Sequence, residues 1–444
     1  MNIFKLLTYN IKEHNYILYS SFKPKVTAPS FWKSLRKEIG MALGRRGLKY
    51  IFYQIRHPYY KQVKPLNAVV FAPLTSNNRR ALEPIWNHLN TDEYSVLWAD
   101  DGTYIPERHV RFWSLMYIWP LLWLYMRSSK DDRLRIRTYF EEYFHTIGYI
   151  VTLSKLLRYN PVKMVVLAND HCSYTRAISY VAKSLSIKTL YTQHCSVTEK
   201  FPALPFTYSL LDGEESMEKY LSAGQPEGKI YLMGNPRFDI ISQYRKKDKA
   251  SRRIGIASNA LDSEERVRQL CTQLQALGFK DIAIRPHPGL PFDPSWYIER
   301  DIEYSDSNKE NPFEFLSRMG CIIAGECGIH FDAAMMGVKS ICYNMSDQTT
   351  ELVDWYSYIK NGLIPYTADF NELVEWLKVE KLDTLSEQKI RWYNAAYGKR
   401  HEGHIGEMIA DFIRYEQKGD IDGFDKKYGF VESTINGCAV KVYS

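Results

Sequence analysis

The chain has 444 residues, 45% hydrophobic and 25% charged, with a formal charge of +7. That length exceeds one typical core and the composition is ordinary for a globular protein, which excludes a disordered or repetitive chain and leads us to expect two domains. The seven cysteines (172, 195, 271, 321, 327, 342 and 438) are scattered and odd in number, with no Cys-x-x-Cys pair. This argues against a disulfide frame or structural zinc and for reduced thiols in a cytosolic protein.

Charge is unevenly spread. Residues 1–65 hold thirteen Lys and Arg against Glu13 and Glu38, a net of +11, so the remainder carries −4. Met1 to Leu7 shows none of the marks of a signal peptide, so no export is expected. The leader is expected to be largely helical, with an amphipathic segment over 30–53 (Phe31, Trp32, Leu35, Ile39, Leu43, Leu48, Ile51, Phe52). It reads either as a solvated basic appendage or as a contact for an anionic membrane surface. Nucleic acid is not an expected partner, because no zinc-finger spacing or RNA-recognition signature is present.

From Ala68 the chain takes up the strand–helix–strand rhythm of an open parallel sheet, with strands over 68–74 and 95–99 around a helix over 76–89. Between Arg111 and Arg127 lie fifteen almost wholly apolar residues, too few for a membrane span of about twenty and interrupted by Pro120. Two readings stand: a buried core helix, or an interfacial helix with its Trp and Tyr at headgroup level. A helix is expected over 131–157. Strands follow at 164–168, 189–192, 208–211 and 229–233, with helices at 174–185 and 214–223. The polar segment 242–253 reads as an interdomain linker. A second alternation begins at Ile254, with strands at 254–257, 281–285, 321–324 and 340–343. The stretch 320–344 reads as strand, Gly-rich turn, helix and strand, with Gly337 as the helix cap and a turn suited to a phosphate. The tail 418–444 carries no legible pattern. The expected domains are 1–65, 66–243, 244–400 and 401–444.

Two such α/β halves are expected to face each other across a central cleft, with ligands at the carboxyl ends of the strands. Seven strand ends carry polar groups: Asn169-Asp170-His171, Gln193-His194, Asp212-Gly213-Glu214, 234–239, Ser258-Asn259, Arg285 with His287, and Gly325-Glu326-Cys327-Gly328.

Several of these match known motifs. Gly-Asn-Pro-Arg-Phe-Asp (234–239), Arg-Pro-His-Pro (285–288), Tyr-Thr-Gln-His-Cys (191–195) with Lys200, and the run 324–343 resemble elements of the CDP-glycerol glycerophosphotransferases of teichoic-acid synthesis. Their order also resembles GT-B glycosyltransferases of bacterial capsule and lipopolysaccharide assembly, including sialyl- and Kdo-transferases, and more distantly the UDP-GlcNAc 2-epimerases. The resemblance covers roughly 160–345. The sequence departs from the phosphotransferase pattern at Cys195, where Gly is usual, and at Glu326-Cys327-Gly328, where hydroxyl side chains would hold the diphosphate.

The resemblance implies a GT-B fold of two Rossmann-like domains and a glycosyltransferase of bacterial surface polysaccharide, inverting and metal-independent. It would be cytoplasmic or peripheral on the inner membrane face. Its expected substrates are a CMP-, UDP- or GDP-linked sugar and a glycan or glycolipid acceptor, with no cofactor. The alternatives are a CDP-glycerol- or CDP-ribitol-type polyol phosphotransferase, or a catalytically silent GT-B scaffold. Direct displacement needs a base on the acceptor hydroxyl and charge stabilisation on the leaving group. His194 is the expected base, its imidazole expected to titrate near neutrality, with Asp170 the other candidate. Arg285, His287, Gly325, Glu326, Cys327, Gly328, Arg237, Ser258 and Asn259 are expected on the donor side, and Asn169, His171, Gln193, Glu199 and Lys200 on the acceptor side. Asp100-Asp101-Gly102, followed by Tyr104, resembles the acidic base element of bacterial polysialyltransferases and equally reads as a turn.

Overall fold

The structure, a computed structural model, describes residues 28–44, 47–57, 63–98, 105–245, 252–346, 354–379 and 386–443. The first 27 residues of the leader, the Asp100-Asp101-Gly102 element with Tyr104, and 246–251 of the expected linker lie outside the described residues. The chain folds as two compact units. The described residues up to His194, Glu199–Arg237 and the stretch from His404 make the first; Cys195–Thr198 and Phe238–Gly403 make the second.

In chain order the described elements begin with α1 (Phe31–Leu43), α2 (Gly47–Arg56), β1 (Val69–Phe71), α3 (Ser76–Trp86), β2 (Tyr94–Val96), α4 (Glu107–Met116), α5 (Trp119–Arg127), α6 (Lys130–Thr138) and α7 (Phe140–Arg158). The first unit continues with β3 (Met164–Leu167), α8 (Ser173–Ser184), β4 (Lys188–Thr192), β5 (Tyr208–Leu211), α9 (Glu214–Ala223) and β6 (Lys229–Leu232). The second holds α10 (Ile241–Tyr244), β7 (Ile254–Ala257), α11 (Glu264–Ala276), β8 (Ile282–Arg285), α12 (Pro294–Ile298), β9 (Glu303–Tyr304) and α13 (Pro312–Ser317). It closes with β10 (Cys321–Ala324), α14 (Ile329–Met336), β11 (Lys339–Tyr343), β12 (Tyr366–Thr367), α15 (Phe370–Lys378) and α16 (Glu387–Tyr393). The chain then returns to the first unit as α17 (Ile405–Lys418), α18 (Ile421–Tyr428), β13 (Phe430–Ile435) and β14 (Cys438–Tyr443).

The first sheet runs β13-β14-β6-β5-β4-β3-β1-β2 and is parallel apart from the β13–β14 hairpin. β3 and β5 are buried along their whole length, which accounts for their apolar sequences, continuous in β3 and broken only by Ser209 in β5. The unread tail extends this sheet. Phe412, Phe424 and Phe430 pack edge-on around the Tyr231 ring at 5.2, 6.3 and 5.3 Å, and Tyr231 donates to Asp425 at 3.0 Å. Aromatic packing and the parallel β14–β6 pairing therefore hold the hairpin against the sheet.

A helical layer accompanies the sheet, and here the elements differ from expectation. The described leader is no appendage, because α1 buries Phe31, Leu35, Glu38 and Ala42. Its helix ends at Gly44, whose positive φ of 57° breaks the expected 30–53 segment in two. The helix expected over 131–157 breaks at Tyr139 (φ −111°, ψ 33°). The break separates charged α6, which buries only Ile136, from α7, which is buried on nearly every side. α4 and α7 meet at backbone distance: a Cβ on Gly148 would stand 2.0 Å from the Val110 carbonyl oxygen. Ser114 Oγ seals that crossing, donating to Val110 and accepting from the Gly148 amide at 3.0 Å each.

Glu38 on α1 reaches into this layer, accepting from Arg111 Nε on α4 at 2.9 Å and lying 3.4 Å from His145 Nε2 on α7. Glu38, Glu141 and His145 bring three ligand-type atoms within 4.8 Å of one another, and Arg111 already supplies positive charge to both carboxylates.

The second sheet runs β12-β11-β10-β7-β8-β9, all parallel. Apolar clusters cover both faces, one around Phe315, Leu316, Phe331 and Tyr358, the other around Ile256, Leu270, Leu274 and Ile323. The expected strand–turn–helix–strand at 320–344 forms as β10–α14–β11, with Gly337 in the left-handed region (φ 68°) at the end of α14.

Candidate functional site

Each sheet has one place where neighbouring strands lead their connections to opposite sides, and loops diverging there leave a crevice outside the carboxyl ends. In the first unit that place lies between β1 and β3; in the second it lies between β7 and β10.

In the first unit the loop after β3 carries Asn169, Asp170 and His171. Asn169 shapes it: its Oδ1 accepts from the amides of His171 (3.1 Å) and Cys172 (2.8 Å) and from Thr175 Oγ1 (3.0 Å), so it starts α8 and has little left for a ligand. Asp170 is fully buried, yet both its oxygens are engaged. Oδ1 lies 2.8 Å from His171 Nδ1, and Oδ2 accepts from Tyr220 Oη at 2.8 Å. Tyr191 Oη stands 2.9 Å behind Tyr220 Oη, so a chain of hydroxyls backs the carboxylate.

Burial alone would disfavour a charged His171, but the hydrogen bond and charge of Asp170, with a smaller contribution from Cys172, outweigh it. The ring's pKa is raised from 6.5 to about 10. The His171 side chain remains 27% exposed, stacked against Phe201 at 4.6 Å. The result is an imidazolium at the mouth of a carboxylate pocket.

His194, which ends the β4 connection, lies 6.5 Å from His171 ring to ring. Burial pushes its pKa down to about 4; the negative charge of Asp170 opposes that, and the positive charge of His171 reinforces it. The expectation that it titrates near neutrality is therefore corrected: the ring is neutral at physiological pH and hydrogen bonds with the Ala168 backbone. Gln193 is wholly buried, donating to Ser216 Oγ (3.0 Å) and accepting from the Asp212 amide (2.6 Å), which makes it a clip across the strand ends.

Arg237 belongs to this unit, and its charge reaches both His194 and Asp212. Expected on the donor side, it stands in the turn that follows β6, inside the expected first domain. Asn235 fixes that turn by donating to Asp212 Oδ1 and to the Gln193 carbonyl, both at 3.0 Å. Glu199 and Lys200 are exposed just before Phe201.

In the second unit the loops after β7, β8 and β10 are hydrogen-bonded into one floor. Ser258 Oγ accepts from the His287 amide at 3.2 Å, and Asn259 Nδ2 donates to the Glu326 carbonyl at 3.0 Å. Glu326 Oε1 accepts from the Tyr356 amide at 2.7 Å. His287 is partly exposed, and its Nδ1 accepts from the Gly289 amide at 3.1 Å, which leaves Nε2 as the outward-facing nitrogen. Gly328 opens α14 with no side-chain cap, and a Cβ there would meet open space. The sulfur of Cys327 is held protonated by burial, its pKa raised to about 12.

Ser258, Asn259, His287, Gly325, Glu326, Cys327 and Gly328 are thus gathered around the second crevice. Arg285 is not. Its guanidinium donates to Ser305 Oγ at 2.9 Å and to the Glu310 carbonyl at 2.8 Å, buried over the Phe315 ring, so it braces β8 instead of facing a ligand.

Four residues outside the expected set matter here. His330, fully buried, bonds the Gly325 carbonyl through Nε2 (2.9 Å) and Ser340 Oγ through Nδ1 (2.6 Å), and so fixes the turn after β10. Its signal was a histidine in the first turn of a helix whose only other polar residue is Asp332. Asp262 accepts from the Asn259 amide at 2.7 Å, and burial raises its pKa to about 6. Asp212 is raised to about 7 by burial, with Arg237 opposing. Tyr220 reaches Asp170 from fifty residues away, and nothing local in the sequence marks that contact.

Gly325 has no room to change. A Cβ there would stand 2.6 Å from Asp262 Oδ1 and 2.9 Å from Asn259 Nδ2. Gly325→Ala is expected to separate the β7 and β10 loops, lower stability by about 1–3 kcal/mol and weaken any ligand of this crevice roughly tenfold or more. Urea unfolding and ligand titration on the same preparation check both effects.

No family model matches the chain, and no characterised protein matches it by sequence. Among solved structures it is similar to the wall teichoic acid polymerase TagF (15% identity, 88% of this chain and 99% of that chain, TM-score 0.49). It is also similar to a UDP-N-acetylglucosamine 2-epimerase (11% identity, 80% and 97%, TM-score 0.48). The UDP-GlcNAc 2-epimerase of Neisseria meningitidis bound to UDP-GlcNAc is a third (13% identity, 78% and 98%, TM-score 0.45).

Proposed function

We propose that this chain is a transferase acting on a nucleotide-activated donor, moving a sugar onto a glycan or glycolipid acceptor of a bacterial surface polysaccharide. What carries the reading is a coincidence: polar strand-end loops stand at both switch points, Asn169–His171 after β3 in the first sheet and the motif turn Gly325–Gly328 after β10 in the second, where that architecture binds ligands. In the second unit the floor built from Ser258, Asn259, His287 and Gly325–Gly328 suits a nucleotide. Backbone amides at the start of α14 favour phosphate, and the carboxylate of Glu326 suits the hydroxyls of a ribose. Arg285 and Arg237 are left out of that donor set, for the positions described above.

In the first unit His194 keeps the role of proton acceptor, since its ring is neutral and the nearby Asp170 charge stabilises the protonated form. Asp170 acts by holding His171 cationic. His171 supplies positive charge to an oxygen that becomes negative beside it. Displacement then forms the new glycosidic bond, breaks the bond to the departing phosphate and passes the acceptor's proton to His194.

Calorimetric titration with CMP, CDP, UDP and GDP, repeated on His287→Ala, tests the donor side. A preference for one nucleotide, weakened roughly tenfold or more in the variant, supports the transferase, since losing a hydrogen bond to a charged group costs about 1.5–3 kcal/mol. CMP would point to sialic acid or Kdo donors, and CDP to the polyol phosphotransferase reading instead. No binding by the folded protein would overturn the donor site and leave a silent scaffold.

A further inference from the structure

The helical layer of the first unit carries a surface that the transferase reading does not use. α5 (WPLLWLYMR) is apolar along eight of its nine residues, yet only Pro120 and Leu121 are buried. Trp119, Leu122, Trp123, Leu124 and Tyr125 are half-buried, and Met126 is 65% exposed. A helix of this composition in a soluble core would be covered on every side. The 111–127 stretch therefore divides: α4 sends Val110, Phe112 and Ser114 into the core, while α5 lies along the surface.

α1 joins α5 there. Phe31 stacks on Tyr125 at 4.2 Å, and its neighbour Trp32, set edge-on to it at 5.4 Å, is 67% exposed. Around these rings stand exposed cations. Lys33, Arg36 and Lys37 lie on α1, Arg127 ends α5, and Lys130 and Arg133 lie on α6. Two are laid on the rings themselves, Arg127 over Trp123 at 4.9 Å and Arg133 over Tyr125 at 5.7 Å. Arg133 also caps α5 by donating to the carbonyls of Tyr125 (2.9 Å) and Met126 (2.7 Å). The exposed acidic groups on α6 and α7 are Asp131, Glu141 and Glu142, three against six cations, with Glu141 4.0 Å from Lys37.

We propose that this α1–α5 face docks on an anionic lipid bilayer, with Trp32, Met126 and the α5 rings in the interfacial region and the surrounding cations against lipid phosphates. The chemistry argues for lipid over another surface. Trp and Tyr favour the headgroup level, long cationic side chains reach past an apolar footing to phosphate, and an excess of cations matches a negative leaflet. α5 lies along this surface without crossing it, since no helix among the described residues is long and apolar enough to span a membrane.

The full chain is sedimented with vesicles of phosphatidylcholine alone and of phosphatidylcholine with phosphatidylglycerol. Binding is expected only with the anionic lipid, and it should fall as salt rises. Lys33→Ser and Arg127→Ser should each weaken partitioning about fivefold, and the pair roughly twenty-five-fold. Trp32→Ser with Met126→Ser should weaken it as well, and both positions are exposed enough for the fold to tolerate the change. Nucleotide titration on the same variants should match the unaltered protein, which separates this surface from the donor site. Failure to bind anionic vesicles overturns the proposal. So does binding that none of these variants changes, since another part of the chain would then carry it. A self-associated species in sedimentation velocity that Trp32→Ser with Met126→Ser dissolves would also overturn it, by assigning the face to a second copy of the chain.

Discussion

Asp170→Asn is expected to reduce the proposed transfer by roughly 10²–10³-fold, the usual range for loss of charge stabilisation at a developing negative oxygen, while leaving nucleotide affinity in the second unit unchanged. The carboxylate touches His171 on one oxygen and Tyr220 on the other, and it is wholly buried, so its negative charge is concentrated on those two partners. Asparagine keeps the size and one acceptor but removes the charge. Burial, which already works against a charged His171, is then opposed mainly by Cys172, and the ring's pKa falls well below about 10. Proton NMR of the histidine ring follows that change directly, and it separates a charge effect from simple misfolding. A ring that still titrates near 10 in the variant would sink the assignment.

The linkage has a definite sign. A group whose folded pKa lies above its unfolded value stabilises fully below the unfolded value and loses that contribution as pH rises. For His171 the window runs from about 6.5 to about 10. The unaltered protein should therefore lose stability across that window in a way that Asp170→Asn does not.

The sequence exposed the alternation of the two sheets because strands buried on both faces must be almost continuously apolar. Met164–Leu167, Tyr208–Leu211, Ile254–Ala257 and Cys321–Ala324 were legible for that reason. It marked the loops after those strands as well, since polar residues at strand ends stand out against apolar runs. Direction was not legible. Arg285 sits at a strand end like its neighbours, yet its side chain turns to Ser305 and Glu310, and only the placement of the segment after β9 decides that. Burial was equally out of reach: His194 looked like a neutral-pH base until the structure enclosed it. The tail escaped because β13 and β14 are half-exposed strands of an edge hairpin, whose mixed residues lack the signature of buried strands.

Glu38→Ala is expected to destabilise the first unit by about 3 kcal/mol, the lower part of the range for breaking a buried pair. The lower part applies because Arg111 keeps Glu107, at 2.5 Å, and Glu141, both half-exposed, after its buried partner is lost. Glu38 is 2% exposed, and it joins α1 to α4 through Arg111 and to α7 through His145. Removing it leaves a guanidinium that is 9% exposed facing an apolar gap. Burial opposes the Glu38 charge, but hydrogen bonds and charge from His145 and Arg111 outweigh it and hold the carboxyl below its ordinary 4.5. A depressed carboxyl stabilises above its unfolded value and loses that contribution as pH falls through the folded one. The deficit of Glu38→Ala should therefore be full at neutral pH and shrink below about 4.5. Urea unfolding across that range measures it. The decisive companion is Glu38→Met with Arg111→Met, which removes both charges while keeping volume. If the pair serves packing order and not net stability, this double variant should recover most of the loss. Since α1 is anchored by this contact and also carries Trp32 and Lys33, Glu38→Ala should weaken vesicle binding where the double variant restores it.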